Sequence, residues 1–240
     1  IVTCLSEVTD QLAEDFTQWN IFEKRSRVAT HLPDGVIELM PTCAGDYYAY
    51  KYVNGHPKNP QKGKLTVAAL GMLSDVTNGY PLLISEMTLL TAIRTAATSA
   101  LAARYLAPKH ANAALIIGTG SQAEFQTLAL HDVTPFETIY YFDTDPKAMA
   151  KFSHNLKQFK LNLHPIQKIE DVIDQVAVVT TATAAKAHVH VLKNEWLKGG
   201  IHINGVGGDC PGKTELDPKI LERAKVIVEY LPQSKIEGEI

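Results

Sequence analysis

The fold class is decided by residues 114–123, which read Ala-Leu-Ile-Ile-Gly-Thr-Gly-Ser-Gln-Ala. The apolar run predicts a buried strand, and the Gly-x-Gly-x-x-Ala sequence after it predicts a tight turn that opens a helix. Gly118 would permit the turn, Gly120 would let the backbone approach a pyrophosphate, and Ala123 is small enough for the helix to pack on the strand. The helix start would hold the phosphates with free N–H groups. The stretch therefore predicts a dinucleotide site.

An acidic residue follows the next predicted strand, Thr138–Phe142. Asp143 stands 25 residues after Gly118, where a carboxylate accepts hydrogen bonds from the adenosine ribose hydroxyls. Because such a carboxylate repels a 2′-phosphate, the pattern favours NAD over NADP. Asp145 lies close by and could share this role, and a strand–turn–helix unit without a ligand is the alternative interpretation.

Strands and helices alternate along the second half of the chain, which predicts βαβ units and a mostly parallel sheet. Strands are predicted at 114–117, 138–142, 176–180, 200–204 and 226–230, and helices at 122–131 and 146–159. We therefore expect an α/β chain with a Rossmann NAD-binding domain over residues 112–230.

The first half has a different pattern, with extended runs between two helices. Helices are predicted at 7–25 and 88–106, and strands at 36–40, 47–53, 66–73 and 82–85. The pair Asn78-Gly79 predicts a tight hairpin turn before the last of these strands. We expect residues 1–111 to form an α+β domain with an antiparallel sheet.

Composition excludes several classes of partner. The net charge is −3 and no basic block occurs, so nucleic acid is not expected to bind. No apolar run reaches the roughly 18 residues of a membrane span, and no signal peptide is visible. The three cysteines are widely spaced, which favours a reducing compartment, the cytoplasm. His188, His190 and His202 have no acidic partner at a metal-like spacing, so no metal is predicted.

One acidic residue stands where the predicted parallel sheet should bind ligands. Asp209 lies in the segment Gly207–Leu216, which follows the strand predicted at 200–204. Ligands bind beyond the carboxyl ends of such strands, and Gly207 and Gly208 would leave room for a cofactor or substrate. A turn or helix-capping role for Asp209 is the alternative.

Three charges interrupt apolar or aromatic segments of the first half. Lys51 lies in an aromatic strand, Glu38 in the run 36–40, and Arg94 in an otherwise uncharged helical stretch. A buried charge is costly unless it is paired, and Arg94 is suited to an anion such as a carboxylate or phosphate. A structural salt bridge, or for Lys51 a surface position with its stem packed on the sheet, is the alternative.

These stretches resemble the ornithine cyclodeaminase and μ-crystallin family. The most specific is residues 207–216, Gly-Gly-Asp-Cys-Pro-Gly-Lys-Thr-Glu-Leu. The others span nearly the whole chain: Arg27–Ala29, Ile37–Pro41, Lys51–His56, Arg94–Ser99, Val228–Tyr230 and Ile236–Ile240.

The resemblance implies conversion of L-ornithine to L-proline and ammonia, with bound NAD recycled in each turnover. Asp209 would then accept and donate protons at the amino groups, and Glu38 would help to orient an amine. The substrate carboxylate would be held by Arg27, Lys51 and Arg94. The residues implied around the cofactor are Thr66, Arg94, Thr95, Ser121, Gln122, Asp143, Thr183, Val206, Gly207, Gly208 and Lys213, beside Gly118 and Gly120.

The resemblance also implies an organisation and leaves alternatives open. Residues 1–111 would bind substrate and form a homodimer, and residues 231–240 would begin a segment that returns to the first domain and continues beyond this sequence. The same scaffold carries imine reductases, alanine dehydrogenases, lysine cyclodeaminases and crystallin-like binding proteins. Ornithine and lysine differ by one methylene, which a pocket discriminates by about 1–3 kcal/mol.

Overall fold

A computed structural model describes residues 4–183, 188–208 and 212–240. Contacts between Cα atoms divide the chain into two compact units. One unit is Asp10–Arg94, called here the antiparallel unit, and the other is Ile1–Thr9 with Thr95–Ile240, called the parallel unit. Asp209, the predicted proton acceptor, lies outside the described residues.

The first helix is shorter than the sequence pattern predicts. Helix α1 (Leu5–Thr17) ends before a 3₁₀ turn (Trp19–Ile21) and strand β1 (Phe22–Lys24). The prediction of one helix over 7–25 is therefore wrong beyond Thr17. Apolar residues three apart satisfy a 3₁₀ turn as well as an α-helix, and β1 gains antiparallel partners in strand β3 that the local pattern does not reveal.

Six antiparallel strands form the sheet of this unit. After β1 they are β2 (Val28–Leu32), β3 (Gly35–Ala44), β4 (Tyr47–Gly55), β5 (Val67–Asp75) and β6 (Pro81–Glu86). The order is β1-β3-β4-β5-β6, with β2 also paired to β3. The predicted hairpin turn is confirmed between β5 and β6, where Gly79 has a φ of +76° and the Asp75 N–H donates to the Tyr80 carbonyl.

Helix α2 (Thr88–Leu106) has the predicted bounds and runs through the division between the units. Its residues up to Arg94 belong to the antiparallel unit, whereas Ala103 packs in a core with Ala114 and Ile116 of the parallel unit. The domain boundary that the sequence places near residue 111 stays a prediction.

The parallel unit contains a five-stranded parallel sheet in the order β12-β10-β7-β8-β9. Its strands are β7 (Ala113–Ile117), β8 (Thr138–Phe142), β9 (Leu163–Pro165), β10 (Val178–Thr181) and β12 (His202–Gly205), and β11 (His188–Leu192) pairs separately with β13 (Thr214–Leu216). The helices are α3 (Ala123–Val133), α4 (Pro146–Leu156), α5 (Pro218–Arg223) and α6 (Leu231–Ser234). Further 3₁₀ turns lie at Asn59–Lys62, Lys157–Phe159, Ile169–Asp171, Ile173–Gln175 and Asn194–Trp196.

Both faces of this parallel sheet are buried. Leu115 and Ile117 belong to one hydrophobic core, and the alternating residues Ala114 and Ile116 belong to another. A sheet covered on both faces is the reason that β7 is apolar at every position. The predicted α/β class, a Rossmann domain with an α+β domain, is confirmed.

One predicted strand is wrong. Residues 226–230 form no strand, and Val226 and Ile227 are 42% and 57% exposed. Within the described residues the parallel sheet ends at β12, so this apolar run has no neighbouring strand to pair with. An apolar run predicts a strand only if the tertiary fold supplies a partner.

The imidazole of His202 makes stability depend on pH. It is buried in β12, its Nε2 lies 3.0 Å from the Asn204 Oδ1, and burial lowers its pKa below the ordinary 6.5. The unfolded chain therefore binds more protons than the folded one as the pH falls through 6.5. Stability that is present above this pH is lost below it.

We expect the free energy of unfolding, measured by urea denaturation, to decrease less in His202→Gln than in the wild type as the pH falls from 7.5 to 5.5. His131, whose pKa burial also lowers, leaves some pH dependence in both proteins. The control is His110→Gln, at an exposed position. This variant should keep the wild-type pH dependence. Equal losses in the wild type and His202→Gln would contradict the assignment.

Candidate cofactor and substrate sites

The turn after β7 is held in a conformation that requires glycine. Gly118 has a φ of +91°, and a Cβ at this position would lie 2.6 Å from the Ala182 carbonyl oxygen. Gly120 differs, because a Cβ there would meet no atom within 4 Å. Gly118 therefore serves the packing of the turn against the chain after β10, and Gly120 leaves an open side that a ligand can approach.

Asp143 is oriented by the same turn. Its Oδ2 accepts hydrogen bonds from the Thr119 N–H at 2.6 Å and the Thr119 hydroxyl at 3.0 Å, and its Oδ1 accepts one from the Asp145 N–H. Asp145 itself caps α4, because its carboxylate accepts from the Lys147 N–H. Both carboxylates are therefore held by the chain, Asp143 by the glycine turn and Asp145 by its helix.

Two buried polar atoms at this edge have no hydrogen-bond partner in the described structure. They are the Gln122 Oε1, in the turn after β7, and the Thr181 Oγ1, at the last residue of β10. In the sheet register Thr181 pairs with Ile117, so both atoms lie at the carboxyl ends of neighbouring strands. Buried polar groups normally find a partner, and a bound ligand can supply one.

A buried carboxylate that was not predicted from the sequence connects the next two loops. Glu215, 1% exposed, accepts hydrogen bonds at Oε1 from the N–H and hydroxyl of Thr183 and at Oε2 from the Gly207 N–H. The Val206 N–H donates to the Thr181 carbonyl and thereby continues β12 past its last strand residue. Glu215 lies within the motif 207–216. A glutamate that follows Lys213 and Thr214 is normally expected to be exposed to solvent, so the sequence does not indicate its burial.

Carboxylates of this chain occupy the space beside the two glycines that precede Asp209. A Cβ at Gly207 would lie 2.0 Å from Glu215, and one at Gly208 would lie 2.7 Å from Glu239. The sequence alone predicts that this space serves a cofactor or substrate. A cofactor contact through the backbone of this segment stays a prediction.

The antiparallel unit brings three of the predicted substrate residues onto one face of its sheet. Met40 lies opposite Lys51, so Glu38, two residues from Met40, shares the face of Lys51. The Arg27 Nη1 lies 3.4 Å from a Glu38 carboxylate oxygen, with Glu38 only 7% exposed. An arginine, a lysine and a glutamate thus occur together on a partly buried surface.

Helix α2 meets this face through Thr91. The Lys51 Nζ donates to the Thr91 hydroxyl at 3.4 Å, and Arg94 lies three residues further on, a neighbouring position on the helix. Arg94 and Thr95 are both half-buried. The predicted carboxylate-binding residues of this unit are therefore Arg27, just before β2, Lys51 of β4 and Arg94 of α2.

The remaining predicted residues have varied surroundings. Ser121 is exposed, Lys213 is buried, and Thr66 precedes β5 with its carbonyl accepting the His56 N–H. Within residues 4–183, 188–208 and 212–240, no group of three His, Cys, Asp or Glu side chains could hold a metal ion. In the same part of the chain, none of the helices has the length and apolar character of a membrane span.

A family model described as the ornithine cyclodeaminase/mu-crystallin family matches residues 1–240. The chain belongs to this family. Its match confirms the resemblance found in the sequence motifs. Ornithine cyclodeaminase from Agrobacterium fabrum (strain C58) is 50% identical over 236 residues, which cover 98% of this chain and 67% of that protein. The chain therefore spans about two thirds of that relative.

Solved structures of related enzymes share the architecture. An archaeal alanine dehydrogenase dimer with bound NAD is 35% identical, with a TM-score of 0.89 over 98% of this chain and 73% of that one. A lysine cyclodeaminase studied for its recognition of L-lysine, L-ornithine and L-2,4-diaminobutyric acid is 30% identical, with a TM-score of 0.90 over 98% of this chain and 71% of that one.

Alanine substitution is expected to have different effects at the two glycines of the turn. Gly118→Ala should destabilise the protein by about 2–4 kcal/mol, because it combines a left-handed backbone with a contact to a carbonyl oxygen. Gly120→Ala should change stability by no more than about 0.5 kcal/mol and should weaken dinucleotide binding. Thermal denaturation and calorimetric titration measure the two effects; equal stability of the two variants would contradict this account of the turn.

Proposed function

We propose that this chain converts L-ornithine to L-proline and ammonia, with NAD reduced and reoxidised within one turnover. The observation that carries the proposal is the 50% identity to ornithine cyclodeaminase, which extends over 98% of the chain. Identity to the solved alanine dehydrogenase is 35%. The difference favours a cyclodeaminase over a dehydrogenase of the same family.

The residues of the parallel unit fit a dinucleotide. The open side of Gly120 and the start of α3 suit the pyrophosphate, and the Asp143 carboxylate, oriented by Thr119, suits the ribose hydroxyls of NAD. When bound, NAD supplies the oxidation and the later reduction at the substrate α-carbon. The further proposed contacts are Thr66, Arg94, Thr95, Ser121, Gln122, Thr183, Val206, Gly207, Gly208 and Lys213.

The charged face of the antiparallel unit suits an amino-acid substrate. Arg27 and Lys51 would hold the α-carboxylate together with Arg94, since guanidinium and ammonium groups form charge-assisted hydrogen bonds to carboxylates. Glu38 contacts the Arg27 Nη1 and so holds the guanidinium group at the sheet face that carries Lys51. The Glu38 carboxylate would attract one of the two amino groups of a diamino acid.

Asp209 would transfer protons at the amino groups. Oxidation at the α-carbon requires a neutral amine, so a base must first remove a proton from the α-ammonium group. The terminal amine then forms a bond to the α-carbon and closes a five-membered ring, while the original α-nitrogen leaves as ammonia. Asp209 would return its proton to this leaving group. One ornithine gives one proline and one ammonia, with no net oxidation.

A homodimer is part of the proposal. On the sheet face opposite Lys51, the residues Leu39, Tyr52 and Leu70 lie side by side across three strands and are 44%, 37% and 47% exposed. Exposed apolar patches of this kind mark association surfaces, and the related alanine dehydrogenase is a dimer. We therefore infer that a second copy of this chain covers this face.

The cytoplasm is the compartment we propose for this enzyme. Its three cysteines are far apart in the sequence. This spacing differs from the Cys pattern of disulfide-bonded secreted domains and is typical of proteins in reducing compartments.

The proposed reaction predicts which compound is made and how much NAD is needed. Purified full chain is incubated with ornithine, lysine or alanine, with and without added NAD, and products are measured by mass spectrometry. We expect proline from ornithine in molar excess over all NAD present. Faster cyclisation of lysine would instead indicate a lysine cyclodeaminase, and NADH accumulating with pyruvate from alanine would indicate a dehydrogenase; either result contradicts the proposal.

A further inference from the structure

Glu215 is a carboxylate in the protein interior that the proposed chemistry does not use. It is the middle residue of β13, is 1% exposed, and lies six residues after Asp209 in the sequence. Removing a carboxylate from water is costly unless hydrogen bonds compensate it. Its position therefore depends on the groups that donate to it.

Those donors come from two loops that leave the same edge of the parallel sheet. Thr183, two residues beyond the end of β10, donates its N–H at 2.6 Å and also its hydroxyl to Oε1. Gly207, two residues beyond the end of β12, donates its N–H at 3.0 Å to Oε2. Since β10 and β12 are neighbours in the sheet, one carboxylate ties together the loops that follow both strands.

The sequence at residue 207 is adapted to this contact. A Cβ on Gly207 would lie 2.0 Å from the Glu215 Oε1, so any side chain there would displace the carboxylate. Glycine at this position is thus explained by a neighbour within the chain. The Gly207 N–H also approaches the Thr181 carbonyl at 3.1 Å, which fixes the course of the chain as it leaves β12.

A second carboxylate fixes the strand that carries the first. Glu239 accepts the Glu215 N–H at 2.9 Å and the Leu216 N–H at 3.0 Å, and a Cβ at Gly208 would lie 2.7 Å from its Oε1. The space that a side chain would take at each of the two residues before Asp209 is therefore occupied, by Glu215 at Gly207 and by Glu239 at Gly208.

We propose that Glu215 is a positioning residue for the reaction, with Glu239 as its support, because it fixes the Gly207–Gly208 backbone from which Asp209 continues. This inference rests on the proposed function for the role of Asp209. Asp209 is bonded to Gly208, and consecutive Cα atoms are about 3.8 Å apart, so the position of Gly208 limits where Asp209 can lie. Misplacement of a reacting group by about 1 Å can cost on the order of 100-fold in rate.

The test compares Glu215→Gln with Glu124→Gln, both in the full chain. Glu124 is a matched control because it lies in α3 of the same unit, where it pairs with Lys151 and accepts from Asn155. Glutamine replaces one carboxylate oxygen with an NH₂ group. This group cannot accept a hydrogen bond from the N–H that faces it. We expect faster amide hydrogen exchange at residues 181–183 and 206–208 in Glu215→Gln, and unchanged exchange there in Glu124→Gln.

Activity distinguishes positioning from general destabilisation. At saturating substrate and NAD we expect Glu215→Gln to lower kcat about 100-fold while the KM for ornithine changes less than about threefold, because Arg27 and Lys51 are untouched. Glu239→Gln is a milder change that can be used if Glu215→Gln does not fold. It should lower kcat about 10-fold and leave the KM for ornithine unchanged. Glu124→Gln should keep wild-type kcat.

Two results would overturn the inference: unchanged exchange at residues 181–183 and 206–208, or faster exchange with unchanged kcat. If the wild type makes no proline but turns over lysine or alanine, the proposed function fails, and the same comparison with that substrate still decides the role of Glu215.

Discussion

The parallel register of β7, β8, β10 and β12 is the constraint on which the rest of the cofactor-binding unit depends. Four strands pointing the same way bring the loops that follow them to one edge, although these loops are separated by up to about ninety residues in the sequence. The glycine turn, Asp143, Thr183 and Gly207 are side by side for this reason alone. Buried apolar residues on both faces hold that register in place, so the site is a consequence of the core.

Internal hydrogen bonds then set the conformation of each loop. Thr119 orients Asp143, Asp145 caps α4, and Glu215 joins the loops after β10 and β12. Each of these carboxylates accepts backbone N–H groups, which are fixed by the fold and cost little entropy to align. Preorganisation of this kind allows a site to bind charge without rearrangement.

The sequence predicts elements well where the local pattern agrees with the tertiary fold. Helix α2 and strand β8 have the predicted bounds because their periodicity and their terminating residues point the same way. The strand expected at 226–230 fails because the sheet offers it no neighbour. Helix α1 is shorter than predicted because the residues after it pair with β3, which starts more than ten positions further on.

The candidate site shows the same division between local and distant causes. Gly118, Gly120 and Asp143 are recognisable from spacing, since each serves a turn or strand end that the sequence itself marks. The pairing of Glu38 with Arg27 cannot be recognised from the sequence, because strand register sets it. The burial of Glu215 cannot be recognised either, because its donors lie in loops that follow other strands. A charge in an apolar segment indicates a partner without identifying it.

In the proposed reaction, oxidation and reduction occur at one carbon within a single turnover. The most direct measurement uses L-ornithine deuterated at its α-carbon, with the position of deuterium in the product read by NMR. We expect proline that carries the deuterium at the same carbon, with no deuterated NADH released. Loss of the label to solvent or to free NADH would contradict it.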